Sequence, residues 1–202
     1  MINLILAIVL SYLFGSVPWA LVIGKVFYHT DIRKSGSGNL GASNAGRVLG
    51  KSAAIIVTLL DALKAFLSML FCYYFAPEGI LYAGLACCFG HCFPIFAGFK
   101  GGKAVATSYG FLLGIAVLIN HQYFWGLIFP VLCFFLFLYL SKMVSVASIM
   151  SLLVEVITSF LIGNPIQISL CILGLWIFVT YRHKANIKRI QQGKENKIKW
   201  MG

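Results

Sequence analysis

Polar residues in this chain form short islands between apolar runs of near membrane-crossing length, and that spacing constrains the fold more than any other feature. The runs lie near 2–24, 52–75, 79–98, 103–119, 123–140, 144–162 and 165–181. Each approaches the roughly 20 residues that a helix needs to cross the hydrocarbon core of a bilayer. A water-soluble domain carries about 25% charged residues; here 10% are charged and 60% hydrophobic. The expectation is an all-α, polytopic integral membrane protein of about seven transmembrane helices. It forms a single membrane domain over 1–202, with a basic tail from about 182. The first run has no basic leader and no small-residue cleavage site, and it continues through Gly15, Ser16 and Pro18 to Gly24, so it reads as a retained span rather than a signal peptide.

The basic residues fix the orientation. Lys25, Arg33, Lys34, Arg47 and Lys51 follow the first run, and the next connection, around Pro77 and Glu78, has none. Lys100 and Lys103 mark the third, Lys142 the fifth, and the tail carries Arg182, Lys184, Lys188, Arg189, Lys194, Lys197 and Lys199. Such alternation predicts an external N-terminus and a cytoplasmic C-terminus. It also accounts for the net charge of +11 through topology and anionic headgroups, without nucleic acid as a partner. The six cysteines, Cys72, Cys87, Cys88, Cys92, Cys133 and Cys171, all fall inside apolar runs and form no disulfide framework.

Polar side chains gather in the basic loops. The first loop reads Ser35-Gly36-Ser37-Gly38-Asn39-Leu40-Gly41-Ala42-Ser43-Asn44-Ala45-Gly46-Arg47, a flexible, donor-rich backbone suited to wrapping a phosphate or carboxylate. Its G-x-G-x-x-G at Gly36, Gly38 and Gly41 follows a membrane helix instead of a strand, so it is not a dinucleotide fingerprint. In the second loop, Lys100-Gly101-Gly102-Lys103 runs directly into the fourth span, bringing amides, ammonium groups and a helix N-terminus together as an anion site. It is no Walker loop: Ala97 and Ala104 occupy positions that need Gly and Ser or Thr.

His91 reads as an interior histidine, a substrate-positioning residue or, with Cys88 and Cys92, a metal ligand; the last lacks a fourth ligand nearby. At the exit of the seventh run, His183 and Asn186 share a helical face if the helix continues. Asp61 and Lys64 have the same spacing inside the second run and read as a mutual pair that braces the loops, while Glu155 has no local partner. Ser145 and Ser148 suit either helix packing or a site.

Laid out in order, these segments resemble the PlsY family, the bacterial acyl-phosphate:glycerol-3-phosphate acyltransferases. The resemblance covers Gly15-Ser16-Val17-Pro18, Ser35 through Arg47, and Gly90-His91 with Phe93-Pro94 running on to Phe99 through Thr107. It also takes in Ser145 through Ser148 and Arg182-His183 with Asn186-Ile187. It implies a seven-helix enzyme of the bacterial inner membrane with its site facing the cytoplasm. Such an enzyme moves an acyl group from acyl phosphate to the sn-1 hydroxyl of glycerol 3-phosphate, releasing phosphate and lysophosphatidic acid. It implies a monomer in membrane lipid, supplied by an upstream acyl-phosphate-forming enzyme, with no cofactor and no metal. Carried over residue by residue, the catalytic groups are Ser37, Arg47, Lys103, His183 and Asn186. Gly38, Asn39, Asn44, His91, Lys100, Gly101, Gly102, Thr107 and Ser145 are expected to contact substrate or its phosphates. Ala65 and Ala104 stand where the family commonly has Gly, Ser43 replaces Thr, and Ala185 replaces a Glu whose loss is expected to loosen the last polar patch.

These residue types suit a reaction that consists mainly of placing two phosphate-bearing substrates and stabilising an oxyanion. Arg47 can grip a phosphate bidentately. Lys103 and the Gly101 and Gly102 amides can hold another, while Ser37 and Asn186 donate near the reacting carbonyl. The hydroxyl proton goes to a substrate phosphate, or to His183 as a general base. Two rivals stand beside this reading. An anion transporter would place polar residues near the midplane, and a thioester-using acyltransferase differs only in its donor.

Overall fold

In the computed structural model, residues 1–198 are described; Lys199, counted above in the basic tail, lies outside the described residues. Among the described residues every regular element is helical. Two compact units are present, Met1–Gly114 and Ile115–Gly202.

The first unit opens with α1 (Ile2–Gly15) and α2 (Trp19–Tyr28), followed by a 3₁₀ turn over Ile32–Lys34 and the short α3 (Ala42–Val48). Next come α4 (Lys51–Phe75), α5 (Ile80–Cys92) and α6 (Val105–Ile115), whose last residue passes into the second unit. A continuous first span to Gly24 is not what forms: α1 and α2 are bent by 42°. Pro18 has no N–H to continue the helical ladder, and the chain turns through Ser16–Pro18 before resuming. At the bend the Val17 carbonyl accepts from the Trp19 amide at 3.1 Å and from Lys64 Nζ of α4 at 3.2 Å.

α1 packs closely on α5 because their contact is built from small residues. A Cβ on Gly15 would strike the Cys87 carbonyl, and one on Gly90 the Tyr12 carbonyl. Ala7 and Ala83 are fully buried in the same cluster. Tyr12 turns its hydroxyl to the Phe93 carbonyl at 2.9 Å, tying α1 to the start of the second polar loop.

In the second unit a π-helical turn over Phe124–Ile128 leads into α7 (Phe129–Ser141), followed by α8 (Val144–Leu161), α9 (Ile166–Arg182) and α10 (Lys184–Gln191). The π turn directly precedes Pro130, whose missing N–H spoils the regular ladder there. Left-handed Lys142 ends α7 and left-handed Gly163 separates α8 from Pro165 at the head of α9.

Helices stand at all seven expected places, but they are unequal. Lys51–Phe75, Pro77–Ala97, Phe124–Ser141 and Val144–Leu161 are each long and apolar enough to cross a membrane. Counting each of the bent pairs Ile2–Gly15 with Trp19–Tyr28 and Ile166–Arg182 with Lys184–Gln191 as one span gives six. Val105–Asn120 is a shorter apolar helix, about 24 Å at the helical rise against a hydrocarbon core of about 30 Å.

Candidate active site

The first polar loop is folded, not flexible as the sequence suggested. Asp31 caps the 3₁₀ turn by accepting the Arg33 amide at 3.1 Å. Its carboxylate also grips the Arg33 guanidinium through Nε and Nη2, the shortest contact being 2.6 Å. The Arg33 hydrogen bond holds the Asp31 carboxyl well below the usual carboxylate range. Arg33 is thereby neutralised locally.

Gly36 and Gly38 then take left-handed φ values of 61° and 68°, which lift Ser37 to the exposed tip between them. Asn44, 1% exposed, fastens this tip from below. Its Oδ1 accepts from the Ser37 amide at 2.8 Å and the Ser37 hydroxyl at 3.2 Å. Its Nδ2 donates to the carbonyls of Ile32 and Ser35 at 3.0 and 3.3 Å. Both amide protons of Asn44 are thus used within the loop. Arg47, in the last turn of α3, is exposed and has no hydrogen bond or ion pair among the described residues. Replacing Asn44 with Ala takes the acceptor from the Ser37 amide and one donor each from the Ile32 and Ser35 carbonyls, which keep the Ser35 and Gly38 amides. The expected cost is about 1–3 kcal/mol, read as a lower unfolding temperature in detergent together with lost activity.

The second loop folds back on α5. The Gly101 and Gly102 amides donate to the Cys92 and His91 carbonyls at 3.2 and 3.0 Å, closing the loop onto the end of α5. In this structure both amides are bonded within the chain. The Lys100 side chain is exposed at the loop and, among the described residues, has no hydrogen bond or ion pair, while its amide bonds the Ala97 carbonyl at 3.4 Å; Lys103 is half-buried. Ala104 holds a left-handed φ of 59°, a physical reason for glycine to be common at that place. Thr107 is carried into the interior, where its Oγ1 is buried and lacks a hydrogen-bond partner among the described residues.

Beneath both loops lies a buried trio. Asp61 Oδ1 meets Lys64 Nζ at 2.9 Å as an ion pair without well-directed hydrogen-bond geometry. Lys64 Nζ also lies 2.9 Å from His91 Nδ1, which is 3.3 Å from Asp61 Oδ1. Toward Lys64, whose ammonium has only protons to give, Nδ1 is an acceptor, and toward the Asp61 carboxylate a donor; the other ring nitrogen is Nε2. That nitrogen abuts Gly102, where a Cβ would overlap it. The expected Asp61–Lys64 pair is present. His91 joins it as a buried histidine, and among the described residues it forms no metal-holding cluster with Cys88 and Cys92.

The third patch belongs to the second unit. The helix does not continue through it: α9 stops at Arg182 and α10 leaves at 58°. His183 stands at the joint, its Nδ1 2.8 Å from the Val179 carbonyl. A carbonyl only accepts, so Nδ1 carries the proton and Nε2 holds the lone pair in the neutral ring. Asn186 N donates back to the His183 carbonyl at 2.8 Å. Both side chains are buried.

Glu195, a residue missed in sequence, secures this patch. Its Oε1 accepts from Asn186 Nδ2 at 2.6 Å and from Ser145 Oγ at 2.8 Å, and its Oε2 accepts from Arg189 Nε at 2.8 Å. Ser145 therefore spends its proton on Glu195. Where Ala185 replaces a Glu, a carboxylate from farther along the chain engages the patch. The signal was its position as the sole acid among the tail's basic residues.

A family described as Glycerol-3-phosphate acyltransferase matches residues 5–193. The chain is similar to a glycerol-3-phosphate acyltransferase of Listeria welshimeri, 46% identical with 99% of each chain covered. A Bacillus subtilis protein of that name is also 46% identical, with 97% of this chain and 98% of that one covered. Among solved structures it is similar to PlsY (YgiH), an integral membrane glycerol 3-phosphate acyltransferase, in its glycerol 3-phosphate form. The TM-score is 0.88 at 31% identity, covering 97% of this chain and 96% of the other. The lysophosphatidic acid form gives 0.84 at 30%, covering 97% and 95%.

Proposed function

The chain belongs to the glycerol-3-phosphate acyltransferase family, and on that footing we propose that it transfers a fatty acyl group from acyl phosphate to the sn-1 hydroxyl of glycerol 3-phosphate. The products are lysophosphatidic acid and inorganic phosphate. It does so as one catalytic domain of the bacterial cytoplasmic membrane, with seven spans, an external N-terminus and polar loops in the cytoplasm. The observation that carries this reading is the first loop: an anchored turn presenting Ser37, followed by an exposed Arg47 with no hydrogen bond or ion pair among the described residues. The relatives crystallised with glycerol 3-phosphate and lysophosphatidic acid supply the substrate chemistry.

In the reaction the glycerol hydroxyl oxygen adds to the acyl carbonyl carbon, and the carbonyl oxygen becomes an oxyanion. The carbon–oxygen bond to phosphate then breaks, and phosphate leaves with the bonding pair. Arg47 grips one phosphate bidentately, and Lys103, with Lys100 beside it, neutralises another. Ser37 and Asn186 steady the carbonyl oxygen as its charge grows. The hydroxyl proton passes to a substrate phosphate oxygen, and His183, with Nδ1–H fixed on Val179, orients its surroundings through Nε2. Acyl phosphate is already activated, so placement and charge stabilisation suffice.

The test is purified protein in detergent, given glycerol 3-phosphate with acyl phosphate, acyl-CoA or acyl carrier protein. Lysophosphatidic acid and phosphate should appear one for one with acyl phosphate. Turnover with a thioester and none with acyl phosphate overturns the donor assignment. A lower limb of the pH–kcat/KM profile that disappears in His183→Gln would reassign the proton to histidine.

A further inference from the structure

The carboxylate under Asn186 does more than neutralise a basic tail. After α10 the chain reverses at left-handed Gly193, Lys194 N bonds the Arg189 carbonyl at 2.7 Å, and Ile198 N bonds the Lys142 carbonyl at 2.8 Å. That return path lays residues 194–198 beside the start of α8. It delivers a Glu195 side chain only 5% exposed to Ser145, in the first turn of α8, and to Asn186 on α10.

An asparagine side chain is nearly symmetric in shape but not in chemistry, and its oxygen and nitrogen exchange places by a flip. A carboxylate accepts only. With Glu195 Oε1 at 2.6 Å, Asn186 Nδ2 must face it, and the flipped amide would set oxygen against oxygen. Ser145 Oγ on the same Oε1 and Arg189 Nε on Oε2 hold the carboxylate from two other directions. Burial pushes the Glu195 carboxyl up, but the hydrogen bonds from Asn186, Ser145 and Arg189 outweigh it, so the net shift is downward.

We propose that Glu195 is a positioning residue for acyl transfer, which reads the orientation of the Asn186 amide and locks it for the reaction. This rests on the catalytic role proposed for Asn186. What it requires is an acceptor oxygen at the Oε1 position; the negative charge itself is secondary, because Arg189 is 39% exposed and can pair with water instead.

The test compares wild type, Glu195→Ala and Glu195→Gln in detergent, each with whichever acyl donor the wild type turns over, following kcat, both KM values and Tm. Glu195→Ala should lower kcat by about 10–100-fold, in line with the cost of a misplaced reacting group, with both KM values near wild type. Glu195→Gln keeps an acceptor for Asn186 and Ser145 and should stay within a few-fold of wild type. If Glu195→Ala fails to fold, Glu195→Asp withdraws the carboxylate while keeping its charge, and should show the same fall in kcat at unchanged KM. The proposal is overturned if Ala, or Asp in its stead, keeps wild-type kcat. It is equally overturned if Gln is as damaging as Ala and the losses follow Tm, the mark of a strap that only holds the fold. Failure of the acyl-phosphate reading appears in the wild type, whereas failure of this inference appears only in the variants.

Discussion

Lys64→Met is expected to cost about 3–5 kcal/mol of stability, because it leaves Asp61 as an uncompensated charge in a low-dielectric interior. Asp61 is 2% exposed and has Lys64 Nζ at 2.9 Å; the same ammonium serves the Val17 carbonyl at the α1–α2 bend and His91 Nδ1. Removing it therefore also takes one of two donors from that carbonyl, which keeps the Trp19 amide at 3.1 Å, and one partner from the His91 ring, against which Gly102 closes the second loop. Asp61→Leu should be comparably damaging, for it strands the ammonium. The double variant Asp61→Leu with Lys64→Met removes both charges and should recover most of the loss, since a buried ion pair contributes little net stability over well-packed apolar residues. Thermal unfolding of the four proteins in one detergent measures this. Additive losses in the double variant would refute mutual compensation. Recovered stability without recovered activity would identify the trio as what holds the His91–Gly102 clasp in place.

The pair itself was legible because three-residue spacing on a helix predicts contact. Its third member was not: His91 lies 27 residues from Lys64, and only the packing of α4 on α5 joins them. The same limit governed the glycines. Gly101 and Gly102 looked like anion-binding amides because composition reveals how many donors a loop has. Where those donors go is decided by the loop folding back on Cys92 and His91. Asn44 was read as a ligand for the same reason, although every hydrogen bond it makes here is spent on its own loop. Exposed cations behaved differently. Arg47 was singled out as a phosphate ligand and stands exposed on α3, whereas Arg33 is cancelled by Asp31 two residues away, a pairing that short spacing permits but does not dictate. Span boundaries were soft where backbone chemistry intervened. Pro18 bends the first segment, and the last polar patch breaks at His183 instead of extending α9.

That contrast between the two arginines sets up the larger functional effect. Arg47→Ala should lower kcat/KM by about 10²–10³-fold, the cost of losing a charged donor aimed at developing or transferred charge. The fold should remain intact, because Arg47 makes no hydrogen bond or ion pair among the described residues that could hold α3. Arg47→Lys should recover only part of the loss, since an ammonium supplies charge without the planar fork that matches two phosphate oxygens. Ser37→Ala should fall by a similar factor while keeping its loop, because the Ser37 amide still donates to Asn44 at 2.8 Å when the hydroxyl is gone. Arg33→Ala removes an arginine of the same loop whose guanidinium is occupied by Asp31, and should leave kcat/KM within a few-fold of wild type. Lys197→Ala, out on the tail, should do nothing. Steady-state kinetics on the five variants, with circular dichroism to confirm folding, separates a specific phosphate grip from a diffuse basic field. A diffuse field would make Arg33→Ala and Arg47→Ala equally harmful and equally sensitive to salt, and wild-type activity in Arg47→Ala would remove this residue from the reaction altogether.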